Sequence, residues 1–258
     1  MRGYTLNKYQ LLGVIMIGAI WQGFYKIIDN SIILPSPAQT LVSLKELITN
    51  EHFRLILLST LSRTMISFLI ALMLSIVIGM VAALNNWFYD LIFPMISLFK
   101  TVPTMAIVIL ALIWLTNEKA PMLIAILMVL PILYEAVIKG IRDIDPNLLN
   151  MANVYEVKMI HKIKDIYIPS VLHNIGAIFS SSIGLCLKLV IGGEVLGQPP
   201  YAIGTSIQTE KMYLNTAGVL AWILILVLVS LFIDKIVQMI LLAVSIIRKG
   251  IRNGSTLR

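Results

Sequence analysis

The sequence contains few charged residues: only 13% of its 258 residues are Asp, Glu, Lys or Arg. A soluble domain has about 25% charged residues. Hydrophobic residues make up 59% of this chain, and its mean hydropathy is +0.92. This excess is not needed for a larger core, so it indicates surface that faces lipid. The composition therefore excludes the soluble class and predicts an integral membrane protein.

Residues that carry metal, redox or nucleotide chemistry are also scarce. The chain has one cysteine, Cys186, so an intramolecular disulfide is impossible, and its three histidines show no spacing typical of metal ligands. It lacks the phosphate-binding pattern G-x-x-x-x-G-K-S/T, and no lysine directly follows a glycine anywhere in it. We therefore expect no bound metal, cofactor or nucleotide in this chain.

Long apolar runs dominate what is present. Roughly 20 helical residues are needed to cross a bilayer. The apolar runs therefore predict an all-α polytopic membrane protein with about six transmembrane helices in a single transmembrane domain. The run at 55–84 and the run at 216–247 are longer than one crossing requires, so they must tilt or extend past the bilayer. The predicted spans are 9–28, 55–84, 91–115, 121–139, 171–196 and 216–247.

The distribution of Lys and Arg predicts the orientation. If the N-terminus is inside, the internal segments hold Arg2, Lys8, Lys139, Arg142, Lys158, Lys162, Lys164, Arg248, Lys249, Arg252 and Arg258, and the external ones hold Lys45, Arg54, Lys119 and Lys211. The positive-inside rule then places both termini and residues 140–170 in the cytoplasm. The net charge of +7 is explained by topology and anionic lipid, without a nucleic-acid partner.

Two connecting segments are predicted to be partly helical. The sequence LPSPAQTLVSLKELITN, within 31–53, begins with turn residues and continues with apolar residues at helical spacing, which fits either a short amphipathic helix at the outer surface or a simple connector. The second segment, residues 140–169, is called the polar insert below. In it, Asp145-Pro146 is typical of a helix start, and a second short helix is predicted from about 157 to 167.

The polar insert ends with Ile166-Tyr167-Ile168-Pro169. This ending resembles the close of the pattern EAA-x3-G-x9-I-x-LP, which is found in the cytoplasmic loop of the membrane subunits of binding-protein-dependent ABC importers. Counting back from this end places the glycine position at Glu156 and the opening triplet at Asn150-Met151-Ala152. The alternative EAV at 135–137 has its nearest glycine, Gly140, one residue too early.

Further landmarks of the nitrate/sulfonate/taurine-type branch occur in the expected order. They are LPSP at 34–37, LFKTVPTMAIVILALIW at 98–114, IRDIDPNLLNMA at 141–152 and GGEVLGQPPYAIG at 192–204. The resemblance covers essentially the whole chain. It implies a type I ABC importer permease, which is a non-catalytic subunit of the bacterial cytoplasmic membrane.

The resemblance also implies partners and residues. We expect a separate ATPase that binds ATP and Mg²⁺, a second permease copy and an external solute-binding protein. The second copy forms a homodimer or, alternatively, a heterodimer with a chain that carries the standard motif. The residues expected to dock the ATPase are Asn150, Met151, Ala152, Tyr155, Glu156, Lys158, Ile166, Ile168 and Pro169.

Glu156 departs from the family pattern. A glycine there would let the backbone adopt positive φ between two helices. Because a side chain in that conformation costs about 1 kcal/mol or more, either the turn differs or Glu156 itself contacts the partner.

The resemblance further implies that the fifth span lines the solute pathway. The candidate pathway residues are Ser181, Ser182, Lys188 and Glu194. Lys188 is a candidate contact for a small anionic solute such as a sulfonate or nitrate, although it can also pair with Glu194 or extend toward the outer interface. A vitamin precursor is a further possible solute. The alternative function is a secondary transporter or channel without an ATPase, which has no need of the polar insert.

Overall fold

The structure is a computed structural model that describes residues 8–255, and for residues 8, 10, 11, 14 and 240–255 it describes the backbone only. The predicted cytoplasmic positions of Arg2 and Arg258 therefore lie outside the described residues, as do the side chains of the C-terminal basic residues. The described range is helical and contains no strand. Its α-helices are α1 (Lys8–Ile28), α2 (Pro37–Thr49), α3 (Phe53–Leu84), α4 (Asn86–Thr101), α5 (Thr104–Trp114), α6 (Ala120–Arg142), α7 (Pro146–Val154), α8 (Met159–Lys162), α9 (Ile168–Gly197), α10 (Ile203–Met212) and α11 (Thr216–Ser255).

The long helices coincide with the predicted apolar runs. Within the described range, α3, α6, α11 and the unit Met159–Gly197 are each long and apolar enough to cross a membrane. The pair α4 and α5 forms a fifth candidate, and α1 contributes a shorter apolar stretch, Ile15–Ile28. The expected all-α polytopic fold is confirmed. The segment at 31–53 contains a true helix, α2, whose N-terminus is a capping box between Ser36 and Gln39.

The third predicted span is not a continuous helix. Helices α4 and α5 meet at an angle of 101° across Val102 and Pro103. Pro103 has no N–H to continue the helical ladder, and it forces Val102 out of the helical region, to φ −67° and ψ 129°. The span predicted at 91–115 is therefore divided into two helices at this proline, and the bent pair remains one candidate span.

The second helix of the polar insert is not separate either. A single π-helical turn, Ile163–Tyr167, joins α8 directly to α9, so Met159–Gly197 forms one helical unit of 39 residues. In this turn the N–H of Ile168 donates to the carbonyl of Ile163. Pro169 follows and has no N–H of its own to donate, so the wider turn accommodates it without breaking the helix.

Helix α6 is the centre of the bundle and packs between α3 and α9. Its most apolar window is 56% buried, a larger share than in the other spans. Phe68 of α3, Leu133 of α6 and Cys186 of α9 meet in the main core, and the rings of Phe68 and Phe179 contact edge to face with centroids 5.0 Å apart. The many large apolar side chains that remain exposed on α1, α3, α5 and α11 suit a lipid environment.

Gly140 lets α6 cross closely over the start of α9. A Cβ atom added there would lie 2.9 Å from Cα of Val171 and 3.3 Å from the carbonyl oxygen of Ser170. The hydroxyl of Ser170 donates to the carbonyl of Gly140 at the same crossing. Small residues permit such close backbone approach between membrane helices. Gly140, which is one residue too early for the family motif, is therefore a packing residue.

We expect Gly140→Ala to lower the stability of the bundle by about 1–3 kcal/mol, because the added methyl group meets backbone that cannot move aside. Gly184→Ala in α9 is the matched control, since nothing lies within 4 Å of a Cβ built there. Thermal unfolding in detergent measures the difference. An unfolding temperature for Gly140→Ala equal to that of Gly184→Ala would contradict the close crossing.

Candidate functional site

The polar insert begins with a capped helix. The carboxylate of Asp145 accepts a hydrogen bond from the N–H of Asn147 at 2.8 Å, and Pro146 occupies the first helical position of α7. A proline is tolerated there because the N–H it lacks has no partner within the helix. The predicted helix start is therefore confirmed.

Glu156 occupies the left-handed turn that ends α7, with φ 50°. The N–H of Glu156 donates to the carbonyl of Asn153 at 3.0 Å, and the N–H of Val157 donates to the carbonyl of Ala152 at 2.9 Å. This pair of bonds is a Schellman motif, which usually places glycine at the left-handed position. The turn expected for a glycine is thus formed with a glutamate. The alternative that the turn at position 156 differs from the family's turn is therefore wrong.

The turn presents apolar side chains to solvent. Val154 is 79% exposed, Tyr155 75% and Ile160 66%, and Met151 and Met159 lie beside them with about half of their surface exposed. Together these five side chains form what is called the exposed patch below. Glu156 and Lys158 are also exposed and flank it with opposite charges. The described part of the chain leaves this patch uncovered.

The residues expected in the docking loop differ in their accessibility. Asn150, Met151, Tyr155, Glu156, Lys158 and Ile168 are exposed, whereas Ile166 and Pro169 are half-buried. Ala152 is buried at 3% exposure and packs inward, so the structure removes it from the accessible surface. The sequence pattern also missed Val154, Met159 and Ile160, although their apolar character next to charged residues was a usable signal.

A buried polar cluster joins three helices at the end of α9 farthest from the polar insert. Glu194 is fully buried, and its carboxylate accepts hydrogen bonds from Arg63 at 3.0 Å, from Thr60 at 3.0 Å and from the N–H of Gly204 at 3.2 Å. The hydroxyl of Thr60 in turn accepts from the N–H of Ile203 at 3.0 Å. The cluster therefore fixes α9 to α3 and to the first turn of α10, and the pairing of Lys188 with Glu194 is wrong.

Gly204 is required by this cluster. A Cβ atom there would lie 2.5 Å from Cβ of Glu194 and 2.6 Å from the carbonyl oxygen of Ile191. A larger residue at position 204 would keep its own backbone N–H from reaching the carboxylate of Glu194. Neither Thr60 nor Gly204 was recognised from the sequence, because Thr60 lies 134 positions from Glu194 and the contact of Gly204 with Glu194 depends on how α10 folds back onto α9.

The four candidate pathway residues of α9 separate into two pairs. Ser181 and Lys188 are exposed and lie seven residues apart, which places them on one face of the helix. Ser182 is buried at 2% exposure, and Glu194 is held inside the polar cluster. Only Ser181 and Lys188 therefore remain accessible for contact with a solute.

Long lipid-compatible helices and an exposed patch at one end define a polytopic membrane protein. Residues 75–245 match the family described as "Binding-protein-dependent transport system inner membrane component". The chain belongs to this family. It is therefore a non-catalytic, multi-pass permease subunit of an ABC importer, and it has the type I importer permease fold.

Named relatives agree with this family. The chain is 27% identical to the putative aliphatic sulfonates transport permease protein SsuC of Bacillus subtilis over 92% of this chain and 86% of that protein. It is 21% identical to a probable ABC transporter permease protein of Brucella melitensis over 81% of this chain and 85% of that one. It is also 23% identical to the glycine betaine transport system permease protein OpuAB of Bacillus subtilis, over 70% and 64% of the two chains.

We expect Glu156→Gly to raise stability by about 0.5–1 kcal/mol, because glycine adopts φ 50° without the contact between Cβ and the backbone. Glu156→Ala is the matched control, since it removes the carboxylate but keeps the Cβ atom. Thermal unfolding of both variants in detergent measures the difference. If Gly and Ala give the same unfolding temperature, position 156 does not adopt the left-handed conformation.

Proposed function

We propose that the exposed patch is the surface on which a separate ATPase docks to drive this permease. The observation that carries this proposal is the exposure of Val154, Tyr155 and Ile160 around the Schellman turn at Glu156. Apolar side chains gain about 1.5–3 kcal/mol each when they are fully removed from water. A surface that leaves several of them uncovered beside charged residues is typical of a contact site for another protein.

The turn is also suited to transmit motion. Its two ends are fixed, since Asp145 caps α7 and the π-helical turn continues α8 into α9. Movement of a partner bound at the exposed patch would therefore displace α9, and α9 packs on the central helix α6. Closure of two ATPase subunits would in this way rock the helices between inward-open and outward-open arrangements as rigid bodies.

For the solute, we propose a small anion of the sulfonate class. One relative is named for aliphatic sulfonates, which are anions, and another for glycine betaine, a zwitterion that also carries a carboxylate group. Lys188 supports this proposal because it is an exposed cation on a membrane-spanning helix. Charge is energetically costly there, and charged residues in such positions usually have a function. Ser181, on the same face, offers a hydroxyl group toward the same surface.

The proposed assembly contains two permease copies, two ATPase subunits and an external solute-binding protein. A homodimer would contribute two exposed patches, one for each ATPase subunit. We propose a bacterial cytoplasmic membrane location, with the polar insert and both termini in the cytoplasm and α2 and α10 toward the outside. The excess of Lys and Arg on the insert side of the spans supports this orientation.

We expect the double variant Tyr155→Ala/Lys158→Glu to abolish co-purification of the ATPase, because it removes an aromatic contact and reverses a charge within the proposed docking surface. The matched control is Tyr213→Ala/Lys211→Glu, which makes the same two changes at the C-terminal end of α10, where Tyr213 is 80% exposed. Affinity purification of the tagged permease with its genomic neighbours gives the readout.

Retention of the ATPase by the Tyr155→Ala/Lys158→Glu variant would exclude the exposed patch as the docking surface. Transport provides a second readout in reconstituted vesicles. Uptake that continues after the ATPase loses its catalytic glutamate would identify the chain as part of a secondary transporter or channel.

The orientation is tested by cysteine labelling. The chain has a single natural cysteine, Cys186, which is fully buried, so it gives little background. In intact cells, we expect a membrane-impermeant maleimide to label Lys211→Cys and to leave Asn150→Cys unlabelled until the cells are opened. The reverse pattern would place the polar insert outside the cell.

A further inference from the structure

A cavity of about 280 Å³ lies between α4 and the last turns of α6. Its wall is apolar over Phe93, Ile96 and Ile138, while Lys139 and Arg142 lie at the end where α6 enters the polar insert. The volume is close to the lower limit of the roughly 300–1,000 Å³ found for small-molecule sites. The cavity therefore combines an apolar compartment with a charged end.

Two cations at this end of the cavity form no ion pair with any described side chain. Lys139 and Arg142 are three residues apart on one face of α6, and neither lies within 4 Å of a carboxylate in the described part of the chain. The guanidinium of Arg142 lies 4.5 Å from the ring centroid of Tyr89, which holds it in place by a cation–π contact. Its planar set of donors suits a phosphate or sulfonate group.

The remaining charges of the lining cancel only one of these two cations. Lys100 and Glu135 form an ion pair with each other in the cavity wall, so together they contribute no net charge. Asp143 also lines the cavity and offsets one of the two cations. The lining as a whole therefore has one excess positive charge, which matches a singly charged anion.

The hydroxyl group of Tyr134 is a second, independent indication of a ligand. Tyr134 lines the cavity and is 4% exposed, and its hydroxyl is buried without a hydrogen-bond partner among the described residues. Buried polar groups nearly always have a partner, because an unmet donor loses its hydrogen bond to water. A ligand oxygen in the cavity would supply the missing acceptor.

We propose that this cavity binds an oxyanion head group, either phosphate or sulfonate, that is attached to an aliphatic body. Arg142 and Lys139 hold the head group, Tyr134 donates a hydrogen bond, and the wall around Phe93 contacts the methylene groups. An anionic phospholipid fits this chemistry, since basic pockets between membrane helices near the inner surface bind such head groups. An alkyl sulfonate has the same chemistry. Only this second ligand rests on the solute class proposed above.

The test uses the purified full-length permease without an ATPase, so its outcome is independent of the docking proposal. Phosphatidylglycerol is titrated and followed by native mass spectrometry, with zwitterionic phosphatidylcholine as the comparison. 1-Octanesulfonate is titrated by calorimetry, with 1-octanol as the comparison. We expect phosphatidylglycerol to bind in preference to phosphatidylcholine, or 1-octanesulfonate in preference to 1-octanol, or both. The first result would identify the ligand as a phospholipid and the second as an alkyl sulfonate.

The variants locate the binding in this cavity. We expect Lys139→Gln/Arg142→Gln to weaken the preferred anion roughly tenfold or more, since each charged hydrogen bond is lost. Lys119→Gln, at the opposite end of α6, is the matched control and should bind as the parent does. Unchanged binding by the double variant, or equal binding of the neutral comparison compounds, would overturn the proposal.

Tyr134→Phe provides a second variant that keeps the ring and its packing. We expect it to weaken anion binding by about threefold to tenfold, while the unfolding temperature without ligand stays the same or rises, because the unpartnered hydroxyl is removed. A lower unfolding temperature with unchanged binding would show that the hydroxyl serves the fold and not a ligand, and would contradict the proposal.

Discussion

The low polarity of the bilayer is the constraint on which the rest of this structure depends. In lipid every backbone N–H and carbonyl needs an internal partner, so the chain is helical wherever it crosses, and side-chain charge is least costly at helix ends or in closed clusters. Both kinds of placement occur here. Glu194 is fully buried but receives donors from Arg63, Thr60 and Gly204, whereas the cations at the end of α6 lie where that helix leaves the apolar region.

Close helix packing follows from the same constraint. Lipid provides no hydrophobic drive between helices, so contact surfaces rely on shape and on a few hydrogen bonds. Gly140 brings α6 against the start of α9, and the carboxylate of Glu194 closes the other end of α9 onto α3 and α10. The helix that continues from the polar insert is therefore fixed to its neighbours at both ends, as the proposed transmission of movement from the exposed patch requires.

The sequence predicted these features unevenly. Apolar length was sufficient to locate the helices, and Asp145-Pro146 was sufficient to start α7. The bend at Pro103 and the continuity of α8 into α9 were missed, since a proline in an apolar run indicates a disturbance without showing its direction. Glu156 was correctly identified as the turn position, but only the structure shows that the left-handed conformation persists with a glutamate there.

The sequence by itself determined the membrane environment, the helical fold class and the family, because hydropathy and motif spacing are properties of residues close together along the chain. Tertiary structure decided which polar residues meet. Arg63 and Glu194 are separated by 131 positions, and only the folded bundle brings them into contact. The tertiary structure likewise exposes Tyr155 and buries Ala152. The accessibility of nearby residues on a short helix depends on which side of that helix the bundle covers.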